Sequence, residues 1–343
     1  MIAIEKVKKL SKDKLGLITL VTGDDLGQFS QIKEEVLKAI AYNKEDLAYS
    51  YFDLSEGGYS EAEMDLLSLP FFADSKFVIF DHFVDITTQK KNHLKEDELK
   101  SFESYLENPL GTTKLIIFAP GKLDGKRRIV KLLKRDAEVI EALPLKEVEL
   151  KQYFQSRGKE IGLIFDSGVF DKLLLKSNGD FSEIAKNLLF LKTYKGQGNI
   201  SLEDVDEAIP KTLNDNIFDL SRFILQGSSD QVAELVHDLR LAGEDEIKLI
   251  AILLGQFRLY LQIKLLLQDS KNEQQIVLAL SDLMARRVNP YQVKFAIRDS
   301  QNLSIAYLEK IVKVLIETDY QIKKGVNDKT YLFDLAILKL MIG

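Results

Sequence analysis

From the first residue to about 145, short apolar runs alternate with stretches whose apolar residues recur at helical spacing. The runs "GLITLVTG" (16–23), "LAYSYFDL" (47–54), "KFVIF" (76–80), "KLIIFAP" (114–120) and "AEVIEAL" (137–143) predict five strands. Segments at roughly 28–42, 60–68, 94–107 and 126–135 predict the helices between them. Strands that are apolar on both faces, alternating with helices, are the pattern of a parallel sheet covered on its two sides. Pro144 closes this part. From 146 to about 208 the pattern turns to short helices. One stops near Gly162, a second ends at Asn178-Gly179, and a third starts with Asp180 as its N-cap. "KGQGN" (195–199) is the most linker-like piece of the chain. After Pro210, segments such as "SDQVAELVHDLRLAG" and "SIAYLEKIVKVLIETDYQIKKG" repeat apolar residues at i, i+3 and i+4 to the end. The expected fold is therefore an α/β N-terminal domain with a parallel five-stranded sheet (1–145), followed by two all-α domains (146–208 and 209–343).

Composition narrows the class. With 343 residues the chain exceeds a single core, which agrees with the three-part division. It is 45% hydrophobic and 29% charged, a globular balance, and its 6 prolines and 19 glycines leave little room for disordered linkers. It has no cysteine, which removes disulfides and thiolate chemistry and suits a reducing cytoplasm. The three histidines, His82, His93 and His237, are scattered without ligand spacing, which speaks against a histidine metal site. The N-terminus has lysines but no apolar stretch of signal-peptide length. The run from Ile247 to Leu267 is long enough to cross a bilayer, but Lys248, Arg258 and Lys264 interrupt it. It reads as the central helix of a bundle, with no membrane partner. A formal net charge of −6 argues against a surface that grips nucleic acid all over, while permitting a local basic patch.

The chemistry a phosphate loop needs is missing where its position would fall. Such a loop, G-x-x-x-x-G-K-[ST], lies between a strand and a helix, cradles phosphates with backbone amides and neutralises them with the lysine. Here the corresponding stretch is "LVTGDDLGQFSQI" (20–32): Gly23 and Gly27 have the wrong spacing, the lysine is missing, and Asp24 and Asp25 would repel a triphosphate. No bound ATP is expected. Asp81, after the third strand, has no second acid beside it and reads as a strand-end aspartate facing solvent. "GKLDGKRRIVKLLKR" (121–135) gathers Lys122, Lys126, Arg127, Arg128, Lys131, Lys134 and Arg135. Phosphate contact is one reading. A solvated helix face is the other, and the lack of interleaved aromatics favours it. No arrangement of nucleophile and base is visible along the chain.

The remaining feature is "SLPFFADSKFVIF" (68–80), where Leu69, Phe71 and Phe72 surround Pro70 in the loop before a strand. Proline removes a donor and biases the residue before it toward an extended conformation, so the preceding helix must stop there. Two answers satisfy the physics. Either the three side chains plug the end of the sheet, or they form an exposed apolar knuckle for a partner's pocket.

The sequence resembles the delta subunit of bacterial DNA polymerase III, a clamp-loader component, over essentially its whole length. "NDNIFDLSRFIL", "LLGQFRLYLQIKLL", "VNPYQVKFA" and "ETDYQIKKGVNDKTYLFDLAIL" stand in family order, and "TDYQIKKG" (318–325) looks like the family's aspartate-x-x-isoleucine-lysine-x-glycine signature. The middle signature is weaker: "NGDFSEIAKNLLFL" keeps Asp180 and the leucines without the family's Glu-Leu pair. The resemblance implies an AAA+-type α/β domain, a small helical lid and a helical collar. It also implies a subunit that binds no ATP, while its companions hydrolyse it. Its partners would be the beta sliding clamp, the other loader subunits through the collar, and primed DNA only within the complex. Leu69, Pro70, Phe71 and Phe72 would then be the clamp-binding element, which favours the exposed knuckle. The competing readings are a nucleic-acid-binding module using Lys122, Lys126, Arg127, Arg128 and Lys131, and a working ATPase.

Overall fold

A computed structural model describes residues 2–70, 74–285, 288 and 290–342, the side chain of Tyr291 excepted. Its contacts divide into two compact units, one of Met1–Phe154 with Asp180–Ala185, the other of Gln155–Gly179 with Lys186–Gly343.

The first unit begins with helix α1 (Ala3–Val7) and strand β1 (Ile18–Gly23), then runs α2 (Leu26–Ala39), β2 (Tyr49–Asp53), α3 (Tyr59–Leu67) and β3 (Lys76–Asp81). It continues with α4 (Glu96–Glu107), β4 (Thr113–Pro120), α5 (Arg128–Asp136) and β5 (Glu138–Glu141). All five expected strands are present. They form one sheet in the order β2-β3-β4-β1-β5, and every neighbouring pair is parallel. Every residue of β1 and β3 is buried, as two-sided strands inside a covered sheet must be. In the core of this unit Phe83 meets Phe80 and Phe102 edge to face, and Phe80 and Phe102 lie tilted against each other. Helix α2 starts where Asp25 accepts a hydrogen bond from the Gln28 amide at 3.0 Å. Helix α3 stops at Leu67, and Ser68 is already extended ahead of Pro70.

Helix α6 (Glu147–Glu160) follows, then strand β6 (Leu163–Phe165), α7 (Val169–Lys176), α8 (Phe181–Lys195), β7 (Gly198–Ile200) and α9 (Leu202–Ala208). Asp180 receives the Glu183 amide at 2.9 Å, the cap its sequence position predicts. β6 and β7 pair in parallel, so the end of the linker-like "KGQGN" is part of a strand. A partner more than thirty residues away made it one, which local composition cannot register.

The rest of the second unit is helical: α10 (Leu213–Gln226), α11 (Ser229–Leu241), α12 (Glu246–Gln268), α13 (Glu273–Met284), α14 (Pro290–Asp299), α15 (Ile305–Lys323) and α16 (Lys329–Met341). By length and composition α12 is apolar enough to cross a membrane. Leu249, Ile250, Leu253, Phe257, Tyr260 and Ile263 on it are instead the centre of this unit's core. Side-chain caps at Thr212, Asn272, Ser304 and Asp328 open four of the helices. At the start of α12, Glu246 accepts from Thr330 at 3.0 Å and from Arg240 at 3.3 Å. The α/β part followed by helical parts is the order that the resemblance implies.

Candidate functional site

Helix α3 has two apolar faces. Tyr59, Ala62 and Leu66 are buried against the sheet. Met64 and Leu67, on the other side, are 66% and 59% exposed, and Leu69 just beyond the helix is 65% exposed. Three large apolar side chains within six residues therefore face solvent together at the end of one helix. Pro70 is half-buried. Phe71 and Phe72, the other two apolar residues of the sequence element, lie outside the described residues. Met64 and Leu67 were not singled out from the sequence. Their signal was there, as a pair at i, i+3 on the face opposite the residues that complete the core.

The polar groups under this apolar end are held from behind. Lys76, the first residue of β3, is only 5% exposed, and its ammonium reaches three oxygens. These are the Asp65 carbonyl, Asp65 Oδ1 at 3.0 Å and Ser68 Oγ at 2.6 Å. The Ser68 amide and hydroxyl also donate to the Asp65 carbonyl, at 3.2 and 3.0 Å. The last turn of α3 thus has its carbonyl satisfied and a cation at its negative end.

The loop after β1 is built the opposite way. The Gly23 amide donates to the Gly121 carbonyl at 3.0 Å, and the Asp25 amide donates to the Ala142 carbonyl at 3.2 Å. Gln28 Nε2 donates to the Leu143 carbonyl at 2.6 Å. Gly23 has a φ of +136°, and a Cβ there would overlap the Ala142 backbone. At Gly27 a Cβ would run into Ser182. Amides that cradle phosphates in a nucleotide loop here donate to the chain's own carbonyls, and the start of α2 is packed against residue 182.

Asp81 corrects the sequence reading: it is 2% exposed rather than facing solvent. Its Oδ2 accepts from Lys33 Nζ and from Tyr51 Oη, each at 2.5 Å, and its Oδ1 from the His82 amide at 2.9 Å. Lys33 comes from α2 and Tyr51 from β2, so no local sequence signal announces the pairing. Burial and the hydrogen bond to Asp81 raise the Tyr51 hydroxyl well above its ordinary pKa, which keeps it a donor. His82 Nδ1 lies 2.9 Å from Asp53 Oδ2. Burial pushes the Asp53 carboxyl up, but hydrogen bonds from Ser55 and the nearby His82 leave it below its ordinary value. Asp53, Asp81 and His82 bring three potential metal-ligand atoms within 4.8 Å of one another, which the scattered histidines did not foretell. The charge of Asp81 is already matched by Lys33, so the cluster reads as an internal ion-pair network.

In the basic segment the structure separates lysines from arginines. Arg128 pairs with Glu107, Arg127 with Asp124 at 3.7 Å, and Arg135 with Asp136 at 2.7 Å. Lys122, Lys126, Lys131 and Lys134 are exposed. The arginines are thereby committed to neighbouring acids, as on an ordinary solvated face.

Comparison with known proteins agrees with this architecture. Residues 20–143 match the family described as DNA polymerase III, delta subunit, and residues 214–340 match DNA polymerase III delta subunit, C-terminal domain. The chain is similar to DNA polymerase III subunit delta of Bacillus subtilis (strain 168), with 29% identity over 314 residues, covering 91% of this chain and 88% of that one. Among solved structures it resembles the Bacillus subtilis DNA clamp loader delta protein, with a TM-score of 0.60, 27% identity and 99% of each chain covered.

Proposed function

The chain belongs to the DNA polymerase III delta-subunit family, and on that premise we propose that it is a non-catalytic clamp-loader subunit that docks on the beta sliding clamp. The docking element is Leu69-Pro70-Phe71-Phe72, and docking holds one interface of the ring open for loading onto primed DNA. The observation that carries this reading is the solvent exposure of Met64, Leu67 and Leu69 beside a polar framework that the Lys76 ammonium holds together. A chain closing its own core would bury these side chains.

The energetics suffice without bond chemistry. Burying Leu69, Phe71 and Phe72 in a partner's pocket contributes roughly 5–9 kcal/mol gross, before the cost of association is subtracted. A ring that opens transiently is shifted toward the open form by any ligand that fits that form better. Each 1.4 kcal/mol of differential affinity moves that equilibrium about tenfold. The subunit therefore needs a stiff apolar element, and hydrolysis of ATP falls to its companions. The filled turn at Gly23 supports that division of labour over a working ATPase. Residues 209–343 would hold the subunit in the loader's collar, in the cytoplasm where replication proceeds.

The test is titration calorimetry of the purified chain against the clamp of the same organism, beside a Leu69/Phe71/Phe72→Ala variant. We expect the variant to keep its circular dichroism and lose more than about a hundredfold in affinity. Equal binding by the two would remove the docking assignment.

A further inference from the structure

The docking element has a fastening that neither its sequence nor its family likeness assigns. β3 lies between β2 and β4 in the middle of the sheet, and Phe77, Val78, Ile79 and Phe80 on it are all fully buried. Its first residue is nevertheless a lysine, itself buried. Taking an ammonium out of water is costly unless its donors are met, and a hydrophobic residue of similar volume is often as stable at such a position. The Lys76 ammonium has three N–H donors. It meets three acceptors, the Asp65 carbonyl, Asp65 Oδ1 and Ser68 Oγ. All three acceptors belong to the last turn of α3 and the residue that ends it, immediately before Leu69. On the strand side, the Lys76 amide donates to the Thr112 carbonyl at 2.9 Å. Lys76 thus joins the segment leading into the apolar element to the strand that follows it, and so fixes both to the central sheet.

We propose that Lys76 is the positioning residue of the docking element: its ammonium, bound to Asp65 and Ser68, holds Leu67 and Leu69 outward in the arrangement that the clamp receives. This rests on the docking role proposed above and adds what makes that role efficient. An apolar element that must be ordered during binding pays that ordering out of its affinity, whereas one ordered beforehand does not. If only a fraction of molecules present the competent arrangement, apparent affinity falls by that fraction. Lys76 raises the fraction while touching no partner.

The experiment measures clamp affinity, association rate and amide hydrogen exchange for the full chain, Lys76→Met, Ser68→Ala and Leu69/Phe71/Phe72→Ala. Lys76→Met keeps the length of the side chain and removes its charge. It is expected to weaken binding about tenfold, or about 1.4 kcal/mol, chiefly through slower association. Amide exchange of Leu66 to Leu69 should speed up, while that of Val78 to Phe80 stays as it was. Ser68→Ala, which leaves the ammonium and two acceptors in place, should weaken binding about threefold with the same local exchange pattern. If Lys76→Met disturbs the fold, Ser68→Ala decides alone. Wild-type affinity and association rate in Lys76→Met or Ser68→Ala, while the triple variant loses binding, would overturn the positioning role and leave the docking element standing. Wild-type binding by the triple variant would overturn the docking reading and the role of Lys76 with it.

Discussion

The loop after β1 and the loop before β3 belong to the same unit and the same kind of sheet, yet they dispose of their groups in opposite ways. After β1, amides donate to the carbonyls of Gly121 and Ala142, a Cβ would not fit at Gly23, and Ser182 covers Gly27. Before β3, the Lys76 ammonium meets the Asp65 carbonyl, Asp65 Oδ1 and Ser68 Oγ, but Met64, Leu67 and Leu69 are left bare. In one loop the protein has consumed its own binding capacity, and in the other it has reserved it. A parallel sheet can therefore close one of its loops through its own backbone hydrogen bonds. It can acquire a partner at another by withholding apolar side chains from the core.

The sharpest way to break this comparison is to exchange the costs. Leu69/Phe71/Phe72→Ala should cost more than a hundredfold in clamp affinity and little thermal stability, because Leu69 at least is already solvated. Gly23→Ala should do the reverse. Its positive φ and the Ala142 backbone make it cost about 2–4 kcal/mol, with clamp affinity per folded molecule unchanged. Denaturant melts beside calorimetry would show the crossed pattern, and a clamp-binding defect in Gly23→Ala would erase the distinction between the loops.

Between these lies Asp81→Asn. It strands the partly buried Lys33 without its carboxylate and should cost about 2 kcal/mol in a denaturant melt. A melt unchanged from wild type would mean that the ion pair contributes nothing net. The smallest effect concerns pH. The Asp53 carboxyl is held below its ordinary value of 3.8, so its contribution to stability is full above that value and fades as pH falls through the lower, folded one. Asp53→Asn should flatten the acid-side fall in melting temperature below about pH 4, slightly because the group is near the surface. A steeper fall would reverse the assigned direction.

Much of the sheet was legible because two-sided apolar strands and intervening helices leave a local periodic mark, and each of the five strands lies within its predicted run or within a residue of it. The cap at Asp180 was legible for the same reason, since a cap acts on amides two or three residues ahead, whereas the cap at Asp25 was not read. Asp81 was misread because Lys33 and Tyr51 are 48 and 30 residues away along the chain. β7 was missed because its partner lies across α7 and α8. At the proposed docking site Leu69 and Pro70 stood out as an apolar knuckle. Met64 and Leu67 did not, since an extra apolar pair on a helix looks like a wider core face until burial is known. Lys76 hid at the edge of a strand, where lysines ordinarily point to water.

The division of the chain has a practical consequence for anyone wishing to work with the sheet alone. Residues 180–185 return to the first unit, where Phe181 packs on Tyr153 and Phe154 with ring centroids 5.4 and 4.8 Å apart and Ser182 sits against Gly27. A polypeptide cut at Pro144, where the sheet ends, would lack all three aromatic rings and leave the start of α2 uncovered. One cut at Phe154 would keep two rings without the third that packs on them. The smallest excerpt that carries its own lid for that spot runs on to residue 185. Between Phe154 and Asp180 lie residues 155–179, a detour that belongs to the other unit.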